Sequence, residues 1–133
     1  MDNQNKLVVE FIGTFFLVFT VGMVVGQGPE LAGPLGPLAI GFSLMVMIFA
    51  GGHVSGGHFN PAVSTAVFVR GKMSSSDLVG YIVAQVIGGL VAALAVTVMG
   101  ADGDDAAGVK DAGKALLGEF LFTFALAWVV LNV

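Results

Sequence analysis

Residues 51 to 70 read Gly51-Gly52-His53-Val54-Ser55-Gly56-Gly57-His58-Phe59-Asn60-Pro61-Ala62-Val63-Ser64-Thr65-Ala66-Val67-Phe68-Val69-Arg70. They close an uncharged run, residues 31 to 69, that is too long for one membrane crossing and is broken by four glycines and a proline in its second half. A second full helix does not fit through that composition. Backbone that is not helical survives at membrane depth only where protein or a water-filled cavity satisfies its polar groups, so the sequence predicts a re-entrant loop here. Asn60 ahead of Pro61 has the chemistry of a helix start, because Asn caps well and Pro is favoured at the first helical position. A helix over residues 62 to 69 reaches roughly 14 Å, half of a ~30 Å hydrocarbon core, before Arg70 and Lys72 meet water. The Asn60 end is therefore expected near the midplane.

Working outward, the rest of the chain divides by charge. Residues 7 to 25 contain only Glu10, residues 78 to 101 contain no charge, and residues 115 to 133 contain only Glu119. Apolar stretches of about 20 residues read as spanning helices, which predicts crossings over 7–25, 35–52, 77–99 and 115–133. The whole-chain composition agrees. Of 133 residues, 56% are hydrophobic and 11% charged, and 20 are glycine. A soluble domain carries about 25% charged residues, so this chain cannot cover a globular surface with polar groups. The expectation is an all-α integral membrane protein with several crossings.

Composition also excludes functions. Five Lys and Arg against nine Asp and Glu form no basic patch of the kind nucleic acid needs. The absence of cysteine removes disulfides and thiol chemistry. His53 and His58 lack a neighbouring carboxylate in the loop, which argues against a metal pair. No paired carboxylates and no nucleophile with a base are visible, so an enzyme is not expected and no cofactor is implied. The first crossing exceeds the apolar core of a signal peptide and lacks a following cleavage pattern. Residues 102–114 hold Asp102, Asp104, Asp105 and Asp111 and read as a solvated loop.

The helix expected from residue 77 carries Gly80, Ala84, Gly88 and Ala92 at four-residue spacing, a ridge suited to close helix packing. Residues 10 to 17 match residues 119 to 126 at five of eight positions. Three crossings separate the two starts, so the second copy begins with opposite topology, as in the inverted repeats of transport proteins.

Glu10 is ionisable inside a span, which leaves a buried structural role, an interfacial position or a proton relay. Gln85 is read as a hydrogen-bonding group of the bundle interior or as a solute contact. Asn60, on its own, is either a simple helix cap or a donor at the end of the half-helix dipole. That dipole presents about half a positive charge and opposes cations and protons.

The segment from Ser55 to Ser64, with Asn60-Pro61-Ala62 at its centre, resembles the first signature loop of the aquaporin family, the major intrinsic proteins. The resemblance extends to the Glu10-Phe11-x-Gly13-Thr14-Phe15 start, the Gly52-His53-x-Ser55-Gly56-Gly57-His58 approach, and Tyr81-x-x-Ala84-Gln85 followed by Gly88-Gly89. It implies a bundle of six spanning helices and two half-helices meeting at their Asn-Pro-Ala ends. Residues 1–101 would be the first repeat, with three crossings and the re-entrant half-helix over about 53–70. Residues 102–114 would be an extracytoplasmic loop, and residues 115–133 the first helix of a second repeat. The second Asn-Pro-Ala would fall near position 169, past Val133, so the expectation is a fragment that does not conduct selectively by itself.

By the same resemblance the function is a passive channel for water or small neutral solutes. A glycerol-type facilitator and a non-conducting fragment are the alternatives. Asn60, Pro61 and Ala62 would line the path, Asn60 donating to the solute while carbonyls of Gly56, Gly57 and His58 accept. Glu10, acting through His58, and Gln85 would support the loop. Twenty residues before Asn60 the family often has an aromatic or histidine, and here stands Ile40, which implies a less polar and wider filter. The implied partners are solute, bilayer and, for the full-length parent, three further copies in a homotetramer.

Placement of Lys6, Arg70 and Lys72 against Lys110 and Lys114 puts the N-terminus in the cytoplasm, in a plasma or inner membrane. Single cysteines at positions 6, 70 and 104 test this by labelling from each side. Positions 6 and 70 should react from the cytoplasm and position 104 from outside; cytoplasmic labelling at 104 alone would reverse the orientation.

Overall fold

The computed structural model describes residues 3–26, 33–101 and 111–133. Five helices carry the described chain: α1 (Asn3–Gly26), α2 (Gly36–Ser55), α3 (Pro61–Val69), α4 (Ser75–Val98) and α5 (Ala112–Val130). A short 3-10 turn over Gly33–Leu35 leads into α2. No strand occurs among the described residues. Four helices are long and apolar enough to span a membrane, all except α3. Asp102, Asp104, Asp105 and Lys110 of the expected acidic loop lie outside the described residues.

The boundaries differ from the sequence reading in one informative place. Helix α2 continues through Gly51, Gly52 and His53 to Ser55, three residues beyond the expected end. Gly51 is tolerated because it is where α1 comes closest: a Cβ there would run into Val9. The stop comes instead from Gly56, which takes the left-handed conformation at φ 93° and sends its N–H to the Gly52 carbonyl at 2.8 Å. Non-helical backbone is thereby confined to Gly56–Asn60, shorter than the loop expected from residue 53. Pro61 starts α3, and Asn60 Oδ1 accepts from the Ala62 N–H at 2.8 Å, the capping that the Asn-Pro pair favours.

Helix α1 is the central member. It packs antiparallel on α2, with Val9 against Gly51 and Thr20 Oγ1 donating to Ser43 Oγ at 3.1 Å. It packs parallel on α4, with Leu7 against Gly80, Phe11 against Gly88 and Gly22 against Val96. In lipid, burying apolar side chains gives no hydrophobic gain between helices, so close backbone approach and hydrogen bonds must hold the bundle. The buried apolar core is accordingly thin: Phe59, Val63, Tyr81, Ala92, Val96 and Ala101. Large apolar side chains such as Phe49, Leu94 and Phe122 face outward, as an acyl-chain solvent permits. Helix α3 lies against α4 and α5, and α5 meets the rest of the described chain chiefly through α3. At its start Asp111 caps α5 by accepting from the Lys114 N–H at 3.1 Å, a bond that holds the exposed carboxyl below its usual pKa.

Gly88 is where the α1–α4 seam brings backbone closest within the spans, since an added Cβ would sit 2.6 Å from the Phe11 carbonyl oxygen. Gly41 in α2 has nothing within 4 Å of the same construction. Gly88→Ala is expected to destabilise the bundle by about 1–3 kcal/mol through overpacking against rigid backbone. Gly41→Ala should be neutral or stabilising by up to ~1 kcal/mol. Thermal unfolding of both variants in detergent micelles checks the pair.

Candidate functional site

The site is built around a carboxylate. Glu10, about two turns into α1, has no solvent exposure. Its Oε1 accepts from Ser55 Oγ at 2.7 Å and from the His58 N–H at 3.0 Å. Its Oε2 accepts from the Phe59 N–H at 2.7 Å and from Gln85 Nε2 at 2.8 Å. Four donors thus converge on one carboxylate, the full acceptor capacity of the group. Two of them are loop N–H groups that neither helix can satisfy, so Glu10 supplies what the re-entrant backbone lacks.

A second ring of bonds holds the first. Tyr81 Oη donates to the Ser55 carbonyl at 2.7 Å, and the Gly57 N–H donates to Ser55 Oγ at 3.1 Å. Gln85 Nε2 also donates to Ser64 Oγ at 2.9 Å, and Ser64 Oγ lies 3.0 Å from His58 Nδ1. The His58 ring packs against Tyr81 with centroids 5.1 Å apart. Elements α1, α2, α3 and α4 each contribute to this buried cluster.

The loop backbone is correspondingly unusual. Gly56, Gly57 and Phe59 all have positive φ, at 93°, 65° and 47°. A non-glycine residue there costs on the order of 1–3 kcal/mol, and Phe59 is held by its bond to Glu10 and by its buried ring. That ring fills the space at Gly13, where a Cβ would overlap it. The result is that the carbonyls of Gly56, Gly57 and His58 accept no hydrogen bond from any described residue. Asn60 Oδ1 is engaged by its own helix, and its amide nitrogen has no acceptor among the described residues.

Asn60 and Pro61 open on a cleft of about 410 Å³, which Thr14, Phe59, Gln85 and Glu119 also line. Thr14 and Gln85 each also carry a buried polar atom, Oγ1 and Oε1, with no hydrogen-bond partner among the described residues. Ala62 lines a neighbouring space with Thr65 and Arg70 on the α5 side of α3.

Of the residues singled out from sequence, the structure brings together Glu10, Gln85, Gly57 and His58, with Asn60 and Pro61 beside them. Gly56 lies at the exposed edge of the loop. Ile40 does not join them: it is half-buried in α2, fifteen residues before Ser55 and roughly 22 Å away along the helix. Glu10 engages His58 through the backbone N–H rather than the ring, because the ring nitrogen is taken by Ser64. Ser55, Ser64 and Tyr81 were given no role by sequence reasoning. Their signal was available, since each is a hydroxyl in an otherwise apolar stretch and a buried carboxylate needs donors.

A family model described as major intrinsic protein matches residues 1–133. The chain belongs to the major intrinsic protein family. It is 42% identical over 140 residues to "Glycerol uptake facilitator protein-like 6" of Lactiplantibacillus plantarum, which covers 98% of this chain and 63% of that protein. It is 46% identical over 116 residues to an "Aquaporin Z" of Brucella melitensis, covering 82% of this chain and 51% of the relative. To "Aquaporin NIP1-1" of Arabidopsis thaliana it is 36% identical over 144 residues, covering 97% and 49%. The chain spans about half the length of the curated relatives it matches.

If Glu10 organises the loop, Glu10→Gln should be far more harmful than its size suggests. One oxygen becomes an NH2 group facing two donors, and the remaining bonds lose their charge assistance. A loss of about 3 kcal/mol is expected, with one of the two loop amides deprived of its acceptor. Chemical unfolding in detergent measures it; a loss under ~0.5 kcal/mol would mean that the loop does not depend on the carboxylate.

Proposed function

We propose that the chain forms one side of a passive transmembrane path for water or small neutral solutes. The observation that carries this reading is the loop between α2 and α3, whose Gly56, Gly57 and His58 carbonyls and Asn60 amide nitrogen have no partner among the described residues, with Asn60 opening on a cleft. Unsatisfied backbone at membrane depth requires a polar solvent, and a passing solute supplies it. Acceptors in a row with a donor at their end suit a molecule that both gives and takes hydrogen bonds. The α3 dipole adds positive potential at Asn60 and disfavours cations.

In this reading Gly56, Gly57 and His58 offer carbonyls, and Asn60, capped onto Pro61 and Ala62, offers its amide. Glu10 and Gln85 hold the loop in place. Ile40 belongs to the separate constriction farther along α2, where an aliphatic side chain leaves the path wide and weakly polar. Water is the reference solute and glycerol the second. No cofactor or catalytic step is part of the proposal. Residues 1–101 are the first repeat of the path and residues 115–133 the opening of an inverted second one. The parallel seating of α1 and α4, with Lys6, Arg70 and Lys72 at one end, supports a cytoplasmic N-terminus in a plasma or inner membrane. Outward-facing aliphatic side chains on α2 and α4 support contact with bilayer and with further copies in a tetramer.

Stopped-flow shrinkage of proteoliposomes containing the polypeptide expressed from its complete gene tests the proposal, with water and glycerol run in parallel. Asn60→Ala should lower water flux per molecule by about tenfold, the equivalent of one ~1.4 kcal/mol hydrogen bond. Asn60→Asp should admit cations by setting a carboxylate at the dipole. Wild-type flux and selectivity in both variants would reduce Asn60 to a helix cap.

A further inference from the structure

We propose that Ser64, aligned by Gln85, fixes His58 as the neutral imidazole with its proton on Nε2. Ser64 is then a positioning residue for the path, and His58 offers the loop a donor with no basic nitrogen. The inference deepens the channel reading and rests on it for its consequence; the tautomer itself follows from the count of protons in the buried cluster.

The count starts at Glu10, whose partners Ser55 Oγ, His58 N and Phe59 N all donate. Ser55 Oγ is itself receiving the Gly57 N–H, so its hydrogen is the one sent to Glu10. The Gln85 amide must therefore turn its nitrogen to the carboxylate, because a flipped amide would set Oε1 against a second acceptor oxygen. The other amide hydrogen reaches Ser64 Oγ at 2.9 Å.

Ser64 has no solvent exposure, and beyond Gln85 the only hydrogen-bond partner of its hydroxyl among the described residues is His58 Nδ1, 3.0 Å away. Since Ser64 accepts from Gln85, its own hydrogen has one destination. If Nδ1 carried a proton, the Ser64 hydroxyl would be a buried donor without an acceptor among the described residues, an arrangement native structures avoid. Nδ1 is thus the acceptor and Nε2 bears the ring proton.

The charged and titratable groups facing the ring are Glu10 from α1 and Tyr81 from α4. The Glu10 carboxylate is saturated by its four donors, and the Tyr81 hydroxyl is committed to the Ser55 carbonyl. No described residue accepts from Nε2, which lies beside Gly56: a Cβ on that glycine would stand 3.2 Å from it. The lone pair of the imidazole is spent on Ser64, so a file of water passing the loop finds no nitrogen there that can take up a proton.

The test uses this chain, reconstituted in lipid bilayers with 15N-labelled histidine. His53→Asn serves as background, because His53 is exposed and outside the cluster. Nitrogen-15 solid-state NMR then reads one ring. The expected spectrum has a protonated Nε2 and an unprotonated, hydrogen-bonded Nδ1, with this tautomer favoured by at least about tenfold. Ser64→Ala should lower that ratio by about threefold or more, and Ser64→Thr, which keeps the hydroxyl, should restore it. A Ser64 that merely fills space would leave the ratio unchanged in the alanine variant, and that result overturns the proposal. So does a wild-type spectrum with Nδ1 protonated, alone or together with Nε2. If Ser64→Ala does not fold, the wild-type and threonine spectra still decide. Water flux of the polypeptide expressed from its complete gene is a separate measurement: its absence alongside the expected spectrum would sink the channel reading and leave the tautomer assignment supported.

Discussion

A carboxylate carried into a membrane span is costly unless every one of its lone pairs is engaged, and Glu10 meets that condition with four hydrogen bonds from three other segments. The dependence runs both ways. The loop amides of His58 and Phe59 have no helical partner, and at this depth no bulk water replaces one. Carboxylate and loop are each untenable without the other, which makes their pairing the constraint around which the first four helices are arranged. Hydrogen bonds to a charged group contribute about 1.5–3 kcal/mol each, enough to offset the positive φ at Phe59.

The same constraint explains where the helices touch. Glu10 can reach Gln85 only if α1 and α4 lie close, and Gly80 and Gly88 permit that approach. It can reach Ser55 only if α2 runs back along α1, with Gly51 accepting Val9. These three glycines sit within about one and a half turns of Gln85 or Ser55. What the cluster turns outward is equally determined. With the loop N–H groups of His58 and Phe59 drawn toward Glu10 and that of Gly57 toward Ser55, the carbonyls of Gly56, Gly57 and His58 are left without a partner among the described residues. Function, in the reading proposed, comes from this division of one backbone into a braced side and an open side.

Much of this was legible in the sequence. Long apolar runs with at most one charge marked the four crossings, because hydrocarbon disfavours charge, and Asn60-Pro61 marked the half-helix start, because capping is local chemistry. The end of α2 was not legible. Gly51-Gly52 reads as a helix break, yet the helix continues, since Gly51 serves packing against α1 and the true stop is the left-handed Gly56. Ser64 and Tyr81 stayed silent for a different reason. Their bonds join positions far apart in the chain, and such partners depend on helix rotation that no local pattern encodes. Glu10 was singled out, but the nature of its contact with His58 required the geometry: the backbone, with the ring assigned to Ser64.

The most direct test of the central dependence is amide hydrogen exchange at His58 and Phe59, measured by NMR on the chain in bilayers against the exposed Ser74, whose N–H donates to no described residue. If Glu10 holds the loop, both amides should exchange at least about a hundredfold more slowly than an open loop amide, as buried charge-assisted bonds of some 3 kcal/mol require. Exchange of His58 and Phe59 as fast as that of Ser74 would contradict the account, because the carboxylate would then not be what holds the loop.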